Sequence, residues 1–268
     1  MASALRNSAQ FHNLMEDVAD SQSGFIIVRT AYDPDPATDA SRWSAALTTL
    51  RAYAKPVESE YHQMDELAIL VMEDRESLNG ASYNTVRSTF NAWVDDYRRR
   101  KATEEDEDGW GSDIRRDCCL VVDDSAFLSL SAAPHLESVS KQRRLLVDGE
   151  PWVVVVDAED PANIDYNGGA PYLGWMRTHV RALKDLNDDL EGLPMSKGLC
   201  PRREYDGQIS LYNGGRGHLI DPPGGIESRY KFPRGTPRGR EGARAMLAEI
   251  RAALGEAAVA HIVIKDGP

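Results

Sequence analysis

Adjacent acidic residues recur along this chain of 268 residues, and two of the pairs directly follow short apolar runs that predict strands. Glu73-Asp74 follows six apolar residues, and Asp123-Asp124 follows five. Carboxylates crowded at a strand end can hold a guanidinium or ammonium group through charge-assisted hydrogen bonds. They also raise one another's pKa, which allows one of them to act as an acid or base near neutral pH. We therefore predict Asp123, Asp124, Glu73 and Asp74 as catalytic residues, the alternative being solvated strand ends or helix caps.

Two other features are candidate substrate-binding positions. Arg29 is the one charged residue of the block GFIIVRTAY, which predicts a strand. A strand arginine of this kind either pairs with an acid such as Asp74 or binds an anion in a cleft. Asp188-Asp189 repeats the acidic pair near the end of a predicted helix, and we include both residues as candidate ligands for a cationic group.

The cysteines allow two interpretations. Cys118 and Cys119 lie in a predicted strand close to two arginines, and a thiolate beside basic residues is a nucleophile. One of two adjacent strand residues faces the core, however, and a buried structural cysteine is the commoner case. With Cys200 the cysteines number three, so they cannot all pair within one chain. Reduced thiols in a cytoplasmic protein are the simplest interpretation.

The charge is distributed unevenly. The stretch from Lys197 to Arg244 contains ten Lys or Arg residues and five Asp or Glu residues, a net charge of +5. Because the net charge of the whole chain is −12, all other residues together carry −17. Aromatic residues such as Tyr205 and Phe232 interleave with these cations, a composition typical of binding to single-stranded RNA or tRNA ends. An ordered loop pinned to the acidic body is the alternative. The predicted tRNA-binding residues are Arg202, Arg203, Arg229, Lys231, Arg234, Arg238 and Arg240.

Several functional classes are not indicated. The sequence has no P-loop, GxGxxG, HExxH, GxSxG or CxxC motif, and its six histidines stand at no metal-ligand spacing. No run of 18 apolar residues predicts a membrane helix, and the first 20 residues lack the pattern of a secretory signal. We therefore predict no metal, no cofactor and no membrane association. The oligomeric state cannot be predicted.

Periodicity predicts the elements that must position these residues. Apolar residues recur at helical spacing in 41–54, 84–100 and 242–254, and short apolar runs predict strands at 25–31, 67–72 and 118–122. Asp39 or Ser41 is expected to cap the first of these helices, and Ser82 or Asn84 the second. Asp148-Gly149 predicts a hairpin turn before a strand at 152–156. Further predictions are strands at 128–130 and 261–264 and a helix at 172–190.

The predicted fold class is α+β, with a mixed sheet packed by three or more helices. Residues 1–191 are expected to form the core domain. Residues 192–240, rich in Gly and Pro, are expected to be an irregular basic segment with little regular structure. Residues 241–268 are expected to return as a helix and a strand that pack on the core.

Three sequence blocks resemble a large family of uncharacterised filamentous-fungal proteins. They are GFIIVRTAY, VMEDRESLNGASYNTVRSTFNAWV and GWMRTHV, together with Trp43 between the first two. The resemblance covers roughly residues 24–180. Trp175, in the third block, is a further candidate substrate-binding residue on this basis.

The chain is also similar in type to the fungal arginine-containing cyclodipeptide synthases, which condense arginyl-tRNA with a second aminoacyl-tRNA to a diketopiperazine. Their acidic motif is two Asp followed by a Glu three positions after the second. Here Phe127 stands at that position after Asp123-Asp124, and Glu191 follows Asp188-Asp189 one residue early. The resemblance implies aminoacyl-tRNA as partner, guanidinium binding by Asp123 and Asp124, and no cofactor, since the ester bond is already activated.

The sequence therefore predicts an aminoacyl-tRNA-dependent enzyme that forms peptide bonds and resembles the arginine-containing cyclodipeptide synthases. The alternative is a non-catalytic binding or regulatory protein whose acidic body engages a basic partner.

Overall fold

The computed structural model describes residues 7–18, 22–55, 66–104, 107–136, 150–165, 171–200, 209–214, 217–220 and 239–264. Within these residues the chain has the predicted α+β fold, with seven strands in one mixed sheet. The strands are Gly24–Arg29 (β1), Ala68–Met72 (β2), Cys118–Val122 (β3), Trp152–Asp157 (β4), Trp175–His179 (β5), Ile209–Tyr212 (β6) and Gly217–Ile220 (β7). The α-helices are Ser8–Glu16 (α1), Pro36–Ala54 (α2), Arg75–Leu78 (α3), Tyr83–Lys101 (α4), Asp124–Ser131 (α5), Leu183–Gly192 (α6) and Gly239–Leu254 (α7).

The strand order brings most carboxyl ends to one edge of the sheet. The order is β2-β1-β3-β4-β5-β6-β7. β1 is parallel to β2 and β3, β5 is parallel to β6, and β4 and β7 run in the opposite direction. β1, β2, β3, β5 and β6 therefore end at the same edge, here named the carboxyl edge. Ligands of sheets with parallel strands characteristically bind at this edge.

Both faces of the sheet are buried. Along β4, Val154 and Val156 pack into one core cluster, whereas Val153 and Val155 pack into the other. Residues of α1, α4 and α7 belong to the first cluster, and residues of α2, α5 and α6 belong to the second. This two-sided burial explains why the strands are continuous apolar runs rather than alternating patterns.

The helices that flank the carboxyl edge begin at clear caps. The Ser82 side chain accepts a hydrogen bond from the Thr85 amide, so Ser82, one of the two predicted caps, begins α4. The predicted cap of α2 was wrong, because α2 begins earlier, at Pro36, with the Asp35 side chain accepting from the Thr38 amide. Proline at the first helical position after an acidic cap is a known start signal that the sequence also carried.

Three predicted elements were wrong. Residues 128–130 are not a strand but lie in α5, which the Asp123 carboxylate caps. Residues 172–190 are not one helix, since β5 comes first, followed by a 3₁₀ turn and then α6. Residues 261–264 are not a strand, and a 3₁₀ turn, Glu256–Ala258, precedes them. The errors at 128–130 and 261–264 concern short apolar stretches, in which strand and helix periods cannot be separated without tertiary contacts.

The Gly/Pro-rich segment contains more regular structure than predicted. Within its described residues it forms a π-helical turn, Met195–Leu199, and the strands β6 and β7. The predicted Asp148-Gly149 turn lies outside the described residues. α7 packs on the first core cluster through Met246, Leu247 and Ile250. Among the described residues no helix has the length and apolar character needed to cross a membrane.

Candidate functional site

A cavity of about 200 Å³ lies at the carboxyl edge, here named the edge cavity. Its walls come from the residue after β1, the first turns of α4 and α5, strand β5 and the segment that follows α7. The lining residues are Thr30, Gly80, Ala81, Ser82, Tyr83, Asp123, Asp124, Ser125, Arg177, Leu254, Ala257 and Ala258. Pockets for drug-sized ligands are roughly 300–1,000 Å³, so this one suits a group of amino-acid size.

Asp123 is held in a fixed position at the cavity wall. One carboxylate oxygen caps α5 by accepting a hydrogen bond from the Ala126 amide at 2.8 Å, and the other accepts from the Tyr83 hydroxyl at 2.6 Å. Burial raises the pKa of Tyr83 well above its usual value, and the Asp123 charge adds to this shift. Tyr83 is therefore a protonated donor. Asp124 follows in the first turn of α5 and is exposed.

Arg177 brings an arginine side chain to the same cavity. It lies in the middle of β5 and is only 3% exposed, with its guanidinium carbon 3.8 Å from the centre of the Trp152 ring. Its Nε and Nη1 atoms have no hydrogen-bond partner among the described residues. Burial lowers the pKa of Arg177 to about 10, although Tyr83 and Asp123 act in the opposite direction. The side chain therefore remains a cation at neutral pH.

The cavity combines both signs of charge with two helix N-termini. Asp123 and Asp124 supply carboxylates, Arg177 supplies a guanidinium, and the partial positive charges of α4 and α5 begin at Ser82 and Asp123. Such a site can hold a molecule that carries a cationic group and a negatively polarised oxygen a few ångströms apart. Asp124 lines the cavity without capping a helix, so its carboxylate is available to exchange a proton with a bound molecule.

The predicted residues at the ends of β1 and β2 form a separate, closed cluster. Arg29 donates hydrogen bonds to the Ala31 carbonyl, to Glu73 and to Asp39, and it lies between the rings of Tyr32 and Trp43. None of these residues is part of the edge cavity lining.

Asp74 also has a local role, because its carboxylate caps α3 by accepting from the Glu76 and Ser77 amides. The structure therefore brings Asp123 and Asp124 together with Arg177 but not with Glu73, Asp74 or Arg29. The two pairs of acids that look alike in sequence lie in different surroundings.

The other predicted substrate-binding residues lie outside the lining. Asp188 pairs with Lys184 on the surface of α6, and Asp189 accepts a hydrogen bond from the Tyr212 hydroxyl. Trp175 is buried directly behind the cavity wall. Its indole donates a hydrogen bond to the Ala258 carbonyl at 2.8 Å, and its ring lies 5.0 Å from that of Tyr83.

The predicted tRNA-binding residues are mostly outside the described residues. This applies to Arg202, Arg203, Arg229, Lys231, Arg234 and Arg238. Arg240 is described, and it is exposed in the first turn of α7.

The cysteines are buried thiols. Cys118, Cys119 and Cys200 are all buried, and none of them forms a disulfide. Burial raises the pKa of Cys119 to about 12 and that of Cys118 well above its usual value. Thiols with these pKa values are protonated at neutral pH, so neither residue of β3 is an activated nucleophile. Among the described residues, no three His, Cys, Asp or Glu side chains come together as metal ligands.

Sequence reasoning missed Arg177 and Tyr83. Arg177 lies in the block GWMRTHV, but a helix was predicted there, and in a helix the arginine would be an ordinary surface residue. Tyr83 carried no signal, because a tyrosine in a helix's first turn is common. The chain is thus an α+β protein with a small mixed-charge cavity at the carboxyl edge of its sheet. Comparisons with protein-family models, curated proteins and solved structures found no match.

Proposed function

We propose that this protein is an enzyme that joins aminoacyl groups in the edge cavity, and more specifically a tRNA-dependent enzyme of the arginine-containing cyclodipeptide type. The observation that supports this proposal is that Asp123 and Asp124 line one cavity of amino-acid size together with Arg177. An arginyl group brings two cationic groups, the guanidinium and the α-ammonium. Two carboxylates on one wall match that requirement.

The reaction needs no metal or nucleotide. The α-amine of one aminoacyl-tRNA attacks the ester carbonyl of the second, an amide bond forms, and the ester bond to the ribose oxygen breaks. This step releases the second tRNA and leaves the dipeptide as an ester of the first. The free amine of the dipeptidyl ester then attacks that remaining ester in the same way, which closes the ring and releases the first tRNA. Each α-ammonium loses one proton to become the attacking amine and a second as the amide forms. One of these protons is taken up by the departing ribose oxygen, and the other is released to solvent.

The two carboxylates would have different roles in this reaction. Asp123 accepts two hydrogen bonds from the protein, so it is fixed in place and suited to holding a cationic group. Asp124 is exposed and lines the cavity, so it is the better placed to take a proton from the α-ammonium and so generate the attacking amine. The Ser82 and Tyr83 end of α4 faces the same space and would favour negative charge on the carbonyl oxygen.

The test is to express the chain in bacteria and search the medium for arginine-containing diketopiperazines by mass spectrometry. We expect a product with the wild-type chain, reduced at least about 100-fold by Asp124→Asn, as for loss of a general base. Asp123→Asn should reduce it similarly, while asparagine keeps the helix cap and hence the fold. Asp188→Asn is the matched control, since Asp188 pairs with Lys184 outside the cavity, and it should leave the product unchanged.

Transfer RNA is the proposed partner of the basic segment. Wild-type protein should retain tRNA with a steep salt dependence, because phosphate contacts release counterions. Replacing Arg229, Lys231 and Arg234 by glutamine should flatten that dependence. Unchanged binding in this variant would place the tRNA contact elsewhere on the chain.

One observation favours the second candidate, a non-catalytic binding protein. Both oxygens of Asp123 already accept hydrogen bonds within the protein, as expected of a structural carboxylate. Absence of any diketopiperazine from cells that contain soluble, folded protein would support this candidate over the enzyme.

A further inference from the structure

Arg177 is a buried cation, and two of its three nitrogens have no hydrogen-bond partner among the described residues. It is 3% exposed, and its Nε and Nη1 have no acceptor among the described residues. Leaving charged donors without acceptors in a protein interior is destabilising, so nearly all such groups in native proteins have a partner. The cation–π contact with Trp152 covers one face of the guanidinium but satisfies none of its N–H groups. An arginine of this kind at a cavity wall can bind an acceptor that the described part of the chain does not provide.

The neighbouring groups define what that acceptor is. Asp123 acts on Arg177 through its negative charge, yet neither Asp123 nor Tyr83 makes a hydrogen bond to Nε or Nη1 of Arg177. Asp123 and Tyr83 are hydrogen-bonded to each other instead, at 2.6 Å. Because no described residue accepts a hydrogen bond from these two nitrogens, the guanidinium can turn toward an oxygen that enters the cavity. The N-termini of α4 and α5, which line the same cavity, also favour a negatively polarised oxygen.

The carboxylates of the cavity exclude a strongly anionic ligand. A phosphate dianion bound to Arg177 would lie in the same small cavity as the carboxylates of Asp123 and Asp124, and neighbouring negative charges repel one another. A group with a carboxylate or carbonyl oxygen at one end and a cation at the other meets complementary charges at both ends. An α-amino acid or aminoacyl group has this arrangement.

We propose that Arg177 binds the acyl oxygen of an aminoacyl ligand in the edge cavity, while the ligand's cationic groups lie against Asp123 and Asp124. This inference deepens the proposed function and rests on it for the choice of arginine as the amino acid. For a free amino acid the bound oxygens are those of the carboxylate, and for an aminoacyl ester the bound oxygen is the carbonyl.

The test is a calorimetric titration of the whole chain with L-arginine and with agmatine, which keeps the guanidinium and the amine but lacks the carboxylate. Wild-type protein should bind L-arginine at least about 10-fold more tightly than agmatine, the ratio expected for one hydrogen-bonded charge pair. Arg177→Met should weaken L-arginine binding by the same factor and leave agmatine binding unchanged. Arg42→Met removes an arginine that pairs with Asp33 outside the cavity lining, and it should change neither affinity.

Thermal unfolding of Arg177→Met separates binding from folding. The variant should melt at the wild-type temperature or above it, because an apolar side chain of similar length removes a buried unpaired charge. Equal affinities of wild type and Arg177→Met for L-arginine would overturn the proposal. So would loss of agmatine binding together with a lower melting temperature, since that pattern describes a structural arginine. Undetectable binding of L-arginine to wild type at millimolar concentration would overturn it as well.

These outcomes are separable from those of the synthase assay. Arginine binding that depends on Arg177, in a protein that makes no diketopiperazine, keeps this inference and rejects the enzymatic function. Product formation that is unaffected by Arg177→Met keeps the function and rejects this inference.

Discussion

Arg29 and Arg177 are both buried strand arginines, but they have opposite surroundings. Arg29 ends β1 and Arg177 lies in the middle of β5, both are almost fully buried, at 4% and 3% exposure, and both stack on aromatic rings. Arg29 hydrogen-bonds through all three of its nitrogens to acceptors of the protein. Arg177 has no acceptor for two of its nitrogens among the described residues. Burial alone therefore does not distinguish a structural arginine from a binding one, whereas the count of satisfied donors does.

The two acidic pairs, Glu73-Asp74 and Asp123-Asp124, show the same contrast in their surroundings. Glu73 is used by Arg29, and Asp74 is used by the first turn of α3, so this end of the sheet is closed by the chain itself. Asp123 and Asp124 meet the edge cavity instead. A third buried arginine, Arg87, resembles Arg29, because all three of its nitrogens donate hydrogen bonds within the protein. The acceptors are the carbonyls of Asp157 and Gly174 and the Asn84 side chain.

The largest expected effect is that of Arg29→Met. This substitution leaves the Asp39 carboxylate, 13% exposed, without its cation, and breaking a buried pair typically costs about 3 kcal/mol or more. For a chain of this size the melting temperature should fall by roughly 6–12 °C, measured by calorimetry or circular dichroism. The Arg42–Asp33 pair is more exposed, so Arg42→Met should cost less than about 1 kcal/mol. A melting temperature close to that of wild type for Arg29→Met would remove the contrast with Arg177.

A second effect concerns the pH dependence of stability near Arg87. Burial raises the pKa of Asp157 to about 6 from an ordinary value of 3.8, although hydrogen bonds from Tyr172 and the Glu159 amide oppose the shift. Between these two pH values the folded protein binds more protons at Asp157 than the unfolded chain does. The free energy of unfolding should therefore fall as pH rises from about 4 to about 6, by roughly 2–3 kcal/mol.

The comparison that isolates this group uses Asp157→Asn, which does not titrate. Urea unfolding at pH 4 and at pH 7 should show wild type losing roughly 2–3 kcal/mol relative to the variant over this range. Parallel pH curves for the two proteins would mean that the Asp157 carboxyl is not held in a low-dielectric environment.

A smaller effect is expected at the wall of the edge cavity. Trp175→Phe removes the hydrogen bond to the Ala258 carbonyl, and it should destabilise by about 1–2 kcal/mol. Amides around Ala258 should exchange with solvent faster in this variant. Trp93→Phe is the matched control, because Trp93 is equally buried and its indole N–H has no partner among the described residues. Equal exchange in the two variants would show that the Trp175 hydrogen bond does not hold this wall.

The smallest effect on stability is expected for Arg177→Met. The melting temperature should change by less than about 2 °C or rise, since no hydrogen bond from Nε or Nη1 to a described residue is lost. A fall as large as that of Arg29→Met would place both arginines in the structural class.

The sequence predicted those parts of the fold in which local pattern and tertiary packing agree. In α4, Val86, Phe90, Trp93 and Tyr97 recur at helical spacing, and all four are buried. The acidic pair at Asp123-Asp124 was found because it follows an apolar strand and meets the carboxyl edge. The role of Asp123 as the cap of α5 was recognised only as an alternative, since Leu128 and Leu130 alternate in a way that also fits a strand.

The missed part of the site depends on contacts between distant segments. Trp175, Leu183 and Leu186 fit a helical period, so the sequence predicted a helix where β5 pairs with β4 and β6. Pairing with β4, which ends 18 residues before β5 begins, and with β6, which begins 30 residues after β5 ends, decided the conformation. The unsatisfied donors of Arg177 cannot be read from sequence at all, because they follow from which acceptors the folded chain leaves out of reach.

The most direct test of the edge cavity as an aminoacyl site is a crystal structure of the protein with L-arginine. We expect a carboxylate oxygen of the ligand to lie within about 3.2 Å of an Arg177 guanidinium nitrogen, and a cationic group of the ligand to lie beside Asp123 or Asp124. L-Arginine bound elsewhere, or bound in the cavity with its carboxylate turned away from Arg177, would contradict it.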